Sequence, residues 1–299
     1  MADSYEDWIQ KKLVHDSKMD DAKFKKEIGD TVVNKCIEAL GRIRAGIQLL
    51  VEDDISFDAF CFMNRSMILQ RNIMNFSKKH GAGIECAFRD FVDPRNSSNN
   101  FGWRPFQIAF ILMNLKGIVD PEHDNREVVD LLYFPTGGGK TEAYLGLMAF
   151  VIANRRLRTN ESDEYNRDGG VTAILRYTLR LLTTQQRDRI TKMILAAELI
   201  RQKEYPKYGK EPISIGFWVG GTVTPNTFKE LEEDPEDLAK TRTARSKKNS
   251  IYKQLLTCPF CGKPLTEENF YIDIPTKSVS IYCSDDKCKI GRASCRERV

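Results

Sequence analysis

Residues 133–142 read YFPTGGGKTE, and the predicted fold follows mainly from this stretch. The apolar run 128–134 overlaps its start and helix-forming residues follow it, so we expect a buried strand, a glycine-rich loop and then a helix N-terminus. Such a turn directs several backbone N–H groups and the positive end of the helix dipole at one point, where a triphosphate can bind. Glycines leave the space that the phosphates need.

The side chains of this loop have specific expected roles. Lys140 would reach the β- and γ-phosphates of ATP, and the Thr141 hydroxyl would coordinate the bridging Mg²⁺. The pattern G-x-x-x-x-G-K-[ST] asks for glycine where this chain has Phe134, and the loop instead resembles the P-T-G-x-G-K-T form of superfamily 2 helicases. We therefore expect ATP and Mg²⁺ as cofactors and Lys140 and Thr141 as catalytic residues. The expected nucleotide-binding residues are Gln107, Pro135, Thr136, Gly137, Gly138, Gly139, Lys140, Thr141 and Glu142.

Composition limits the class of protein. The chain has 299 residues, of which 41% are hydrophobic, so it can bury one substantial core with smaller appendages. No run approaches the roughly 18 apolar residues of a membrane span, and the polar N-terminus argues against a secretory signal. We expect a cytoplasmic protein without a membrane partner, whose eight cysteines are reduced thiols or metal ligands. The net charge of +4 is too small to indicate nucleic acid by itself.

Hydrophobic periodicity divides the chain. Residues 1–100 show helical spacing and end in a turn-rich linker, which predicts a helical N-terminal domain. Residues 101–225 alternate strand and helix patterns, which predicts an α/β fold: a RecA-like P-loop parallel sheet with helices on both faces, as a first ATP-binding lobe. Residues 226–289 read as a charged connector and a zinc-ribbon insertion. The predicted helices are 103–115, 141–157 and 183–202, and the predicted strands are 128–134, 171–177 and 213–219.

Four cysteines follow the pattern C-x2-C-x21-C-x4-C. Two cysteine pairs about twenty residues apart are typical of a closed, tetrahedral structural zinc site. Residues 270–274 and 279–282 resemble the two strands of a hairpin between the pairs. The alternative interpretation is four unrelated buried thiols. The expected Zn²⁺ ligands are Cys258, Cys261, Cys283 and Cys288.

Two further segments suggest ligand contacts. Gln107, in WRPFQ about thirty residues before the loop, could present its amide to the edge of adenine, although Trp103 and Phe106 could simply be core residues. Residues 175–186 and 218–226 carry hydroxyl and guanidinium groups at predicted turns, where such groups can grip a DNA backbone without reading bases. A solvated helix start is the alternative. The candidate nucleic-acid-binding residues are Thr178, Arg180, Gln185 and Thr224.

The C-terminal residues 290–299, IGRASCRERV, resemble the conceptual translation of a sequencing-adapter oligonucleotide, and we expect them to be a non-native tail. ATP hydrolysis also needs an Asp-Glu pair at the end of an apolar strand. The acidic runs 161–164 and 232–237 lack a preceding apolar strand, so neither is expected to serve. We therefore expect an N-terminal part that stops before the Asp-Glu motif and before a second RecA-like lobe. Such a part would bind ATP weakly and turn it over negligibly.

Four segments together resemble the helicase component of DISARM, a bacterial anti-phage system: WRPFQIAF, DLLYFPTGGGKTEAYLGL, LRYTLRLLTTQQ and FWVGGTVTPN. The resemblance covers most of residues 30–289. It implies an ATP-dependent DNA helicase or translocase that acts with other defence proteins, including a methyltransferase, against foreign DNA. It also implies that Gly137, Gly138, Gly139, Lys140 and Thr141 bind ATP and Mg²⁺.

Two other classes of protein stay open at this point. A P-loop kinase or small-molecule ligase would carry a complete acceptor site and act without DNA, but the long helical prefix and the zinc ribbon count against it. A non-catalytic module for DNA binding or assembly would use the zinc ribbon as its contact surface, and ATP would not stabilise it.

Overall fold

A computed structural model describes residues 1–13, 23–92, 102–135, 137–158, 167–176, 184–216, 255–266, 269–273, 278–285, 288 and 295–298. Helices make up most of this part of the chain. A π-helical turn, Ile9–Leu13, continues the helix Ala2–Trp8, and a 3-10 turn, Asp124–Glu127, comes after the helix Pro105–Val119. The α-helices are α1 (Ala2–Trp8), α2 (Lys23–Glu52), α3 (Asp54–Gly81), α4 (Arg89–Val92), α5 (Pro105–Val119), α6 (Lys140–Leu157) and α7 (Thr184–Lys203).

Three short strands form an antiparallel sheet in the order β1 (Phe270–Asp273), β2 (Ser278–Ile281) and β3 (Cys295–Arg298). Phe270 lies opposite Ile281 in the first pair, so the predicted hairpin between the cysteine pairs is confirmed. Cys295 lies opposite Ile281 in the second pair. The third strand thus comes from residues 290–299, to which the sequence analysis assigned no structure.

The predicted RecA-like parallel sheet is wrong. The described residues contain no parallel strand pair, and residues 128–134, 171–176 and 213–216 form no strand. The apolar run before the glycine loop is not buried either, since Val129, Leu131 and Tyr133 are 94%, 88% and 89% exposed. A buried strand needs ladder partners and covering layers, and these side chains have neither among the described residues. The fold is therefore mainly helical.

The predicted helices are confirmed to within a few residues at each end. The spacing of Phe60, Met63, Met67 and Ile73 predicts one apolar face on α3. The structure buries the last three of these residues and leaves Phe60 half-buried. It ends at Gly81, and Gly83 follows with φ +81°, a left-handed conformation that favours glycine and stops helices. The predicted linker 93–100 and most of the charged connector lie outside the described residues.

The chain divides into two compact units, each assembled from separate stretches of sequence. The domain boundaries expected at residues 100, 225 and 289 stay a prediction. None of the helices in the described ranges is both long and apolar enough to cross a membrane. The first unit comprises Met1–Met67, Phe101–Ile174 and Ile200–Glu211, and the second comprises Ile68–Asn100, Leu175–Leu199 and Pro212–Val299.

The core of the first unit forms where α2 packs against α5 and α5 packs against α6. Leu40 and Ile43 of α2 and Ile111 and Leu115 of α5 are buried. The helices approach closely at Gly46, where an added Cβ would lie 2.0 Å from the Leu112 carbonyl oxygen. This close packing places the start of α5 beside the glycine loop.

Candidate nucleotide loop and metal centre

The glycine loop lies at the N-terminus of α6, in the first unit. Gly139 caps the helix with φ +95°, and Gly137 has φ +80°, a region that L side chains rarely adopt. Gly138 has no such conformation, but a Cβ there would lie 2.2 Å from Cδ1 of Phe134. Each of the three glycines is therefore required by the local geometry, for two different reasons.

Helix α5 holds this loop in place through its first turn. The Arg104 guanidinium donates from Nη1 to the Gly138 carbonyl oxygen at 2.7 Å, and Gln107 Nε2 donates to the Gly139 carbonyl oxygen at 2.8 Å. Gln107 Oε1 accepts from the Arg104 backbone N–H at 2.8 Å, which caps α5. The candidate adenine-reading residue is thus brought to the loop, with both ends of its amide bonded to backbone. Sequence reasoning assigned Arg104 no role.

Aromatic rings pack the same junction. The rings of Phe106 and Phe134 stack with centroids 4.1 Å apart and planes 13° apart. The Trp103 indole N–H donates to Asn64 Oδ1 at 2.7 Å, and its ring fills the space beside Gly146, where a Cβ would lie 2.6 Å from Cη2. The two aromatic residues of WRPFQ therefore pack against α3, α6 and the loop.

Lys140 lies over the carbonyl edge of the loop. Its ammonium contacts the Phe134 carbonyl oxygen and donates to the Pro135 carbonyl oxygen at 3.3 Å. Thr141 and Glu142 are half-buried in the first turn of α6, and Thr136 lies outside the described residues. The loop thus already places one cation beside oxygen acceptors. Phosphate oxygens are acceptors of the same kind with greater charge.

A buried ion pair fixes the segment that leads into the loop. Arg42 of α2 donates from both terminal nitrogens to the Asp130 carboxylate, at 2.7 and 2.6 Å, in the fork geometry that suits a carboxylate. The hydrogen bond with Asp130 raises the pKa of Arg42 above its ordinary value. Sequence reasoning missed this pair. A lone carboxylate inside the apolar run 128–134 was the available signal.

The four candidate zinc ligands come together in the second unit. The sulfur atoms all lie within 4.8 Å of one another. Cys258 and Cys288 are 3.8 Å apart, and Cys261 and Cys283 are 3.5 Å apart. A tetrahedral zinc with Zn–S bonds of about 2.3 Å separates its sulfurs by about 3.8 Å, so the spacing of these cysteines suits a zinc ion.

Crowding of the thiols affects their protonation. Hydrogen bonds with Cys261 and Cys288 lower the pKa of Cys258. The hydrogen bond between Cys261 and Cys258 raises the pKa of Cys261. Burial raises the pKa of Cys283. One thiolate is therefore favoured where the sulfurs meet, and further thiolates need a compensating cation. A closed site of this kind suits a structural role.

The first cysteine pair is part of the core of the second unit. Phe260, between the two cysteines, packs against Phe76 and Phe88 with ring centroids 5.5 and 4.9 Å away. Gly262 has φ +79°, and a Cβ there would lie 2.0 Å from the Ser77 carbonyl oxygen. The cysteine knuckle thus packs against the last turns of α3, and the candidate zinc ligands are part of this hydrophobic core.

His80 and Asp285 border the four cysteines, and sequence reasoning missed both. His80 Nε2 lies 2.7 Å from Asp285 Oδ2, and these groups lie within 4.8 Å of the Cys261 sulfur. No local spacing connects residues 205 positions apart, so the sequence carried no signal for this contact.

The candidate nucleic-acid-binding residues stay a prediction. Gln185 falls in the first turn of α7, while Thr178, Arg180 and Thr224 lie outside the described residues.

No protein-family model matches the chain. A curated relative, the DISARM protein DrmA of Bacillus paralicheniformis, is 43% identical over 294 residues. The aligned part takes in 96% of this chain and 25% of the relative, so the chain spans about a quarter of that protein's length. The predicted resemblance to a DISARM protein is thereby confirmed: the chain is similar, over nearly all of its residues, to one quarter of a DISARM protein DrmA.

Proposed function

We propose that the chain is the ATP-binding part of a DNA helicase or translocase that works in a phage-defence system. One observation carries the ATP site: a three-glycine loop at a helix N-terminus, clamped by Arg104 and Gln107, with the Lys140 ammonium drawn onto its carbonyl oxygens. The similarity to a DISARM protein supports the defence role. The proposal rests on the loop and its clamp.

The loop fits the triphosphate of ATP because it presents backbone without side chains. Lys140 would hold the β- and γ-phosphates as a point charge, and Thr141 would offer its hydroxyl to Mg²⁺. The positive end of α6 completes the anion-binding end of the helix. Bound ATP would supply the free energy of phosphoryl transfer to water, which helicases use to move along a strand.

The remaining roles follow from the same proposal. Thr178, Arg180, Gln185 and Thr224 would contact the DNA backbone, without sequence preference. The four cysteines would bind one structural Zn²⁺ that stabilises the second unit. Other defence proteins, among them a methyltransferase, would be the partners of the whole protein. The chain by itself would bind ATP and hydrolyse it negligibly, because no Asp-Glu pair that could position water follows an apolar run in its sequence.

Isothermal titration of the chain with ATP and Mg²⁺ tests the ATP site. We expect Lys140→Ala to weaken binding about tenfold or more, because a charge-assisted contact to phosphate is lost. Lys116→Ala is the matched control, since it removes the same charge from the last turn of α5 and should leave the affinity unchanged. Wild-type chain that gives no heat with ATP, or equal affinities of the two variants, would contradict the proposal. Absence of ATP binding to the wild-type chain would favour the non-catalytic module, which ATP does not stabilise.

A further inference from the structure

A cleft of about 420 Å³ lies in the second unit, and none of the four cysteines lines it. The last turns of α3 form one side, the first half of α7 forms another, and the residues just before and within the cysteine knuckle close it. None of the residues assigned above to ATP, zinc or DNA lines this cleft.

Positive charge dominates the polar lining. Lys78, Arg187 and Lys192 face a single carboxylate, Asp188, which forms an ion pair with Lys192. Lys192 is only 5% exposed, so this cation is held in a partly desolvated setting where its field is screened little. A concave surface with an excess of one charge attracts ligands of the opposite charge.

Thr191 adds a second, independent observation. It lines the cleft, is 8% exposed, and its hydroxyl has no hydrogen-bond partner among the residues that the structure describes. A buried hydroxyl without a partner is unfavourable, and such groups are usually completed by a ligand or an ordered water. A hydroxyl donor beside lysine and arginine side chains is a set that suits phosphate oxygens.

We propose that this cleft binds a phosphate group, carried by a nucleic-acid strand or by a small phosphate ester. Lys78 and Arg187 supply charge, and the Thr191 hydroxyl donates to a phosphate oxygen. Lys192, neutralised in part by Asp188, sets the local field. The cleft uses none of the residues of the glycine loop, so a result against ATP binding at the loop would not count against phosphate binding in the cleft.

The test uses the full chain carrying Lys140→Ala, so that the glycine loop contributes little to the signal. Fluorescence anisotropy with a labelled oligo-dT strand and thermal shift with inorganic phosphate report binding. We expect Lys78→Gln to weaken binding about tenfold, as for the loss of one charge-assisted contact. Lys79→Gln is the matched control: it removes the same charge from the next residue, which lies over the Phe91 ring and does not line the cleft.

Thr191→Val keeps the shape of the side chain and removes only the hydroxyl. Because that hydroxyl has no described partner, the melting temperature without ligand should not fall, whereas phosphate affinity should. Oligonucleotide binding that depends on Lys78 identifies a nucleic-acid strand as the ligand, and a Lys78-dependent response to inorganic phosphate alone identifies a small ester. Equal effects of Lys78→Gln and Lys79→Gln, or no response to either probe, would overturn the proposal.

Discussion

The side-chain amide of Gln107 donates to the carbonyl oxygen of Gly139 across 2.8 Å, so the first turn of α5 is bonded to the residue that caps α6. The same amide accepts from the Arg104 backbone N–H. A change at the start of α5 should therefore alter both the stability of the first unit and the shape of the glycine loop.

Gln107→Leu keeps the volume of the side chain and removes both hydrogen bonds. We expect the free energy of unfolding to fall by about 1–3 kcal/mol, because two backbone groups lose their partner, and we expect weaker ATP binding. Urea denaturation and ATP titration measure the two effects. Asn114→Leu is the control, since the Asn114 amide bonds to the Phe110 carbonyl within α5 and to nothing else among the described residues. Equal losses in the two variants would show that the link to the loop contributes nothing.

The contact between α2 and α5 at Gly46 can be tested with two alanines in one helix. A Cβ at Gly46 would lie 2.0 Å from the Leu112 carbonyl oxygen, whereas one at Gly41 would meet nothing within 4 Å. We expect Gly46→Ala to lower the free energy of unfolding by about 1–3 kcal/mol through overpacking. Gly41→Ala should raise it by about 0.5–1 kcal/mol through helix propensity. Thermal unfolding of both variants measures these changes in the free energy of unfolding. A Gly46→Ala variant that is more stable than the wild-type chain would refute the close packing of α2 against α5.

The ion pair between Arg65 and Glu204 predicts a pH dependence of stability. The hydrogen bond from Arg65 lowers the pKa of Glu204 below its ordinary value of 4.5. A lowered carboxylate pKa contributes stability above pH 4.5, and that contribution is lost as the pH falls through the lowered pKa. Because both side chains are partly exposed, we expect about 0.5–1 kcal/mol.

A double-mutant cycle with Glu204→Gln and Arg65→Gln measures this contribution. The coupling free energy should be present at about pH 7 and should approach zero once the pH lies below the lowered pKa of Glu204, because the carboxyl group is then protonated in both folded and unfolded chains. A coupling that persists unchanged in acid would argue for packing rather than charge as its source.

Metal analysis tests the cysteine centre. We expect about one zinc per chain, and a fall in melting temperature when a chelator removes it, because closed structural sites contribute to folding. Cys261→Ser should abolish stoichiometric zinc, since Cys261 is fully buried among the other three sulfurs. Cys61→Ser, in α3 and outside the cluster, should retain it. Zinc that survives Cys261→Ser would exclude the four-cysteine site.

Sequence reasoning succeeded where the determinants are local. The stripe of Met63, Met67 and Ile73 shares one face of α3 whatever surrounds it. Cysteine pairs indicate a candidate metal site because the two members of each pair are close in sequence. Glycine conformation is local as well, so the loop 137–139 could be placed at the start of a helix.

Sequence reasoning failed where the burial of a side chain depends on partners distant in sequence. Alternation and apolar content at Val129, Leu131 and Tyr133 fit a strand, but only neighbouring chain can bury those side chains, and they lie exposed. Arg42 and Asp130 are 88 positions apart, and His80 and Asp285 are 205 apart, so no spacing rule could have joined them. The hydrogen bonds of Arg104 and Gln107 with the loop were unpredictable for the same reason.

The place of Trp103 has a practical consequence. Its indole is held between Asn64 of α3 and Gly146 of α6, one turn and a half beyond Lys140. The chain has two other tryptophans, Trp8, which is 44% exposed, and Trp218. When both are replaced by phenylalanine, tryptophan emission comes from Trp103 alone. The wavelength and quenching of that emission would then follow any displacement of α6 against α5 in real time. Trp103 would therefore serve as an intrinsic fluorescence probe at the junction where ATP is proposed to bind.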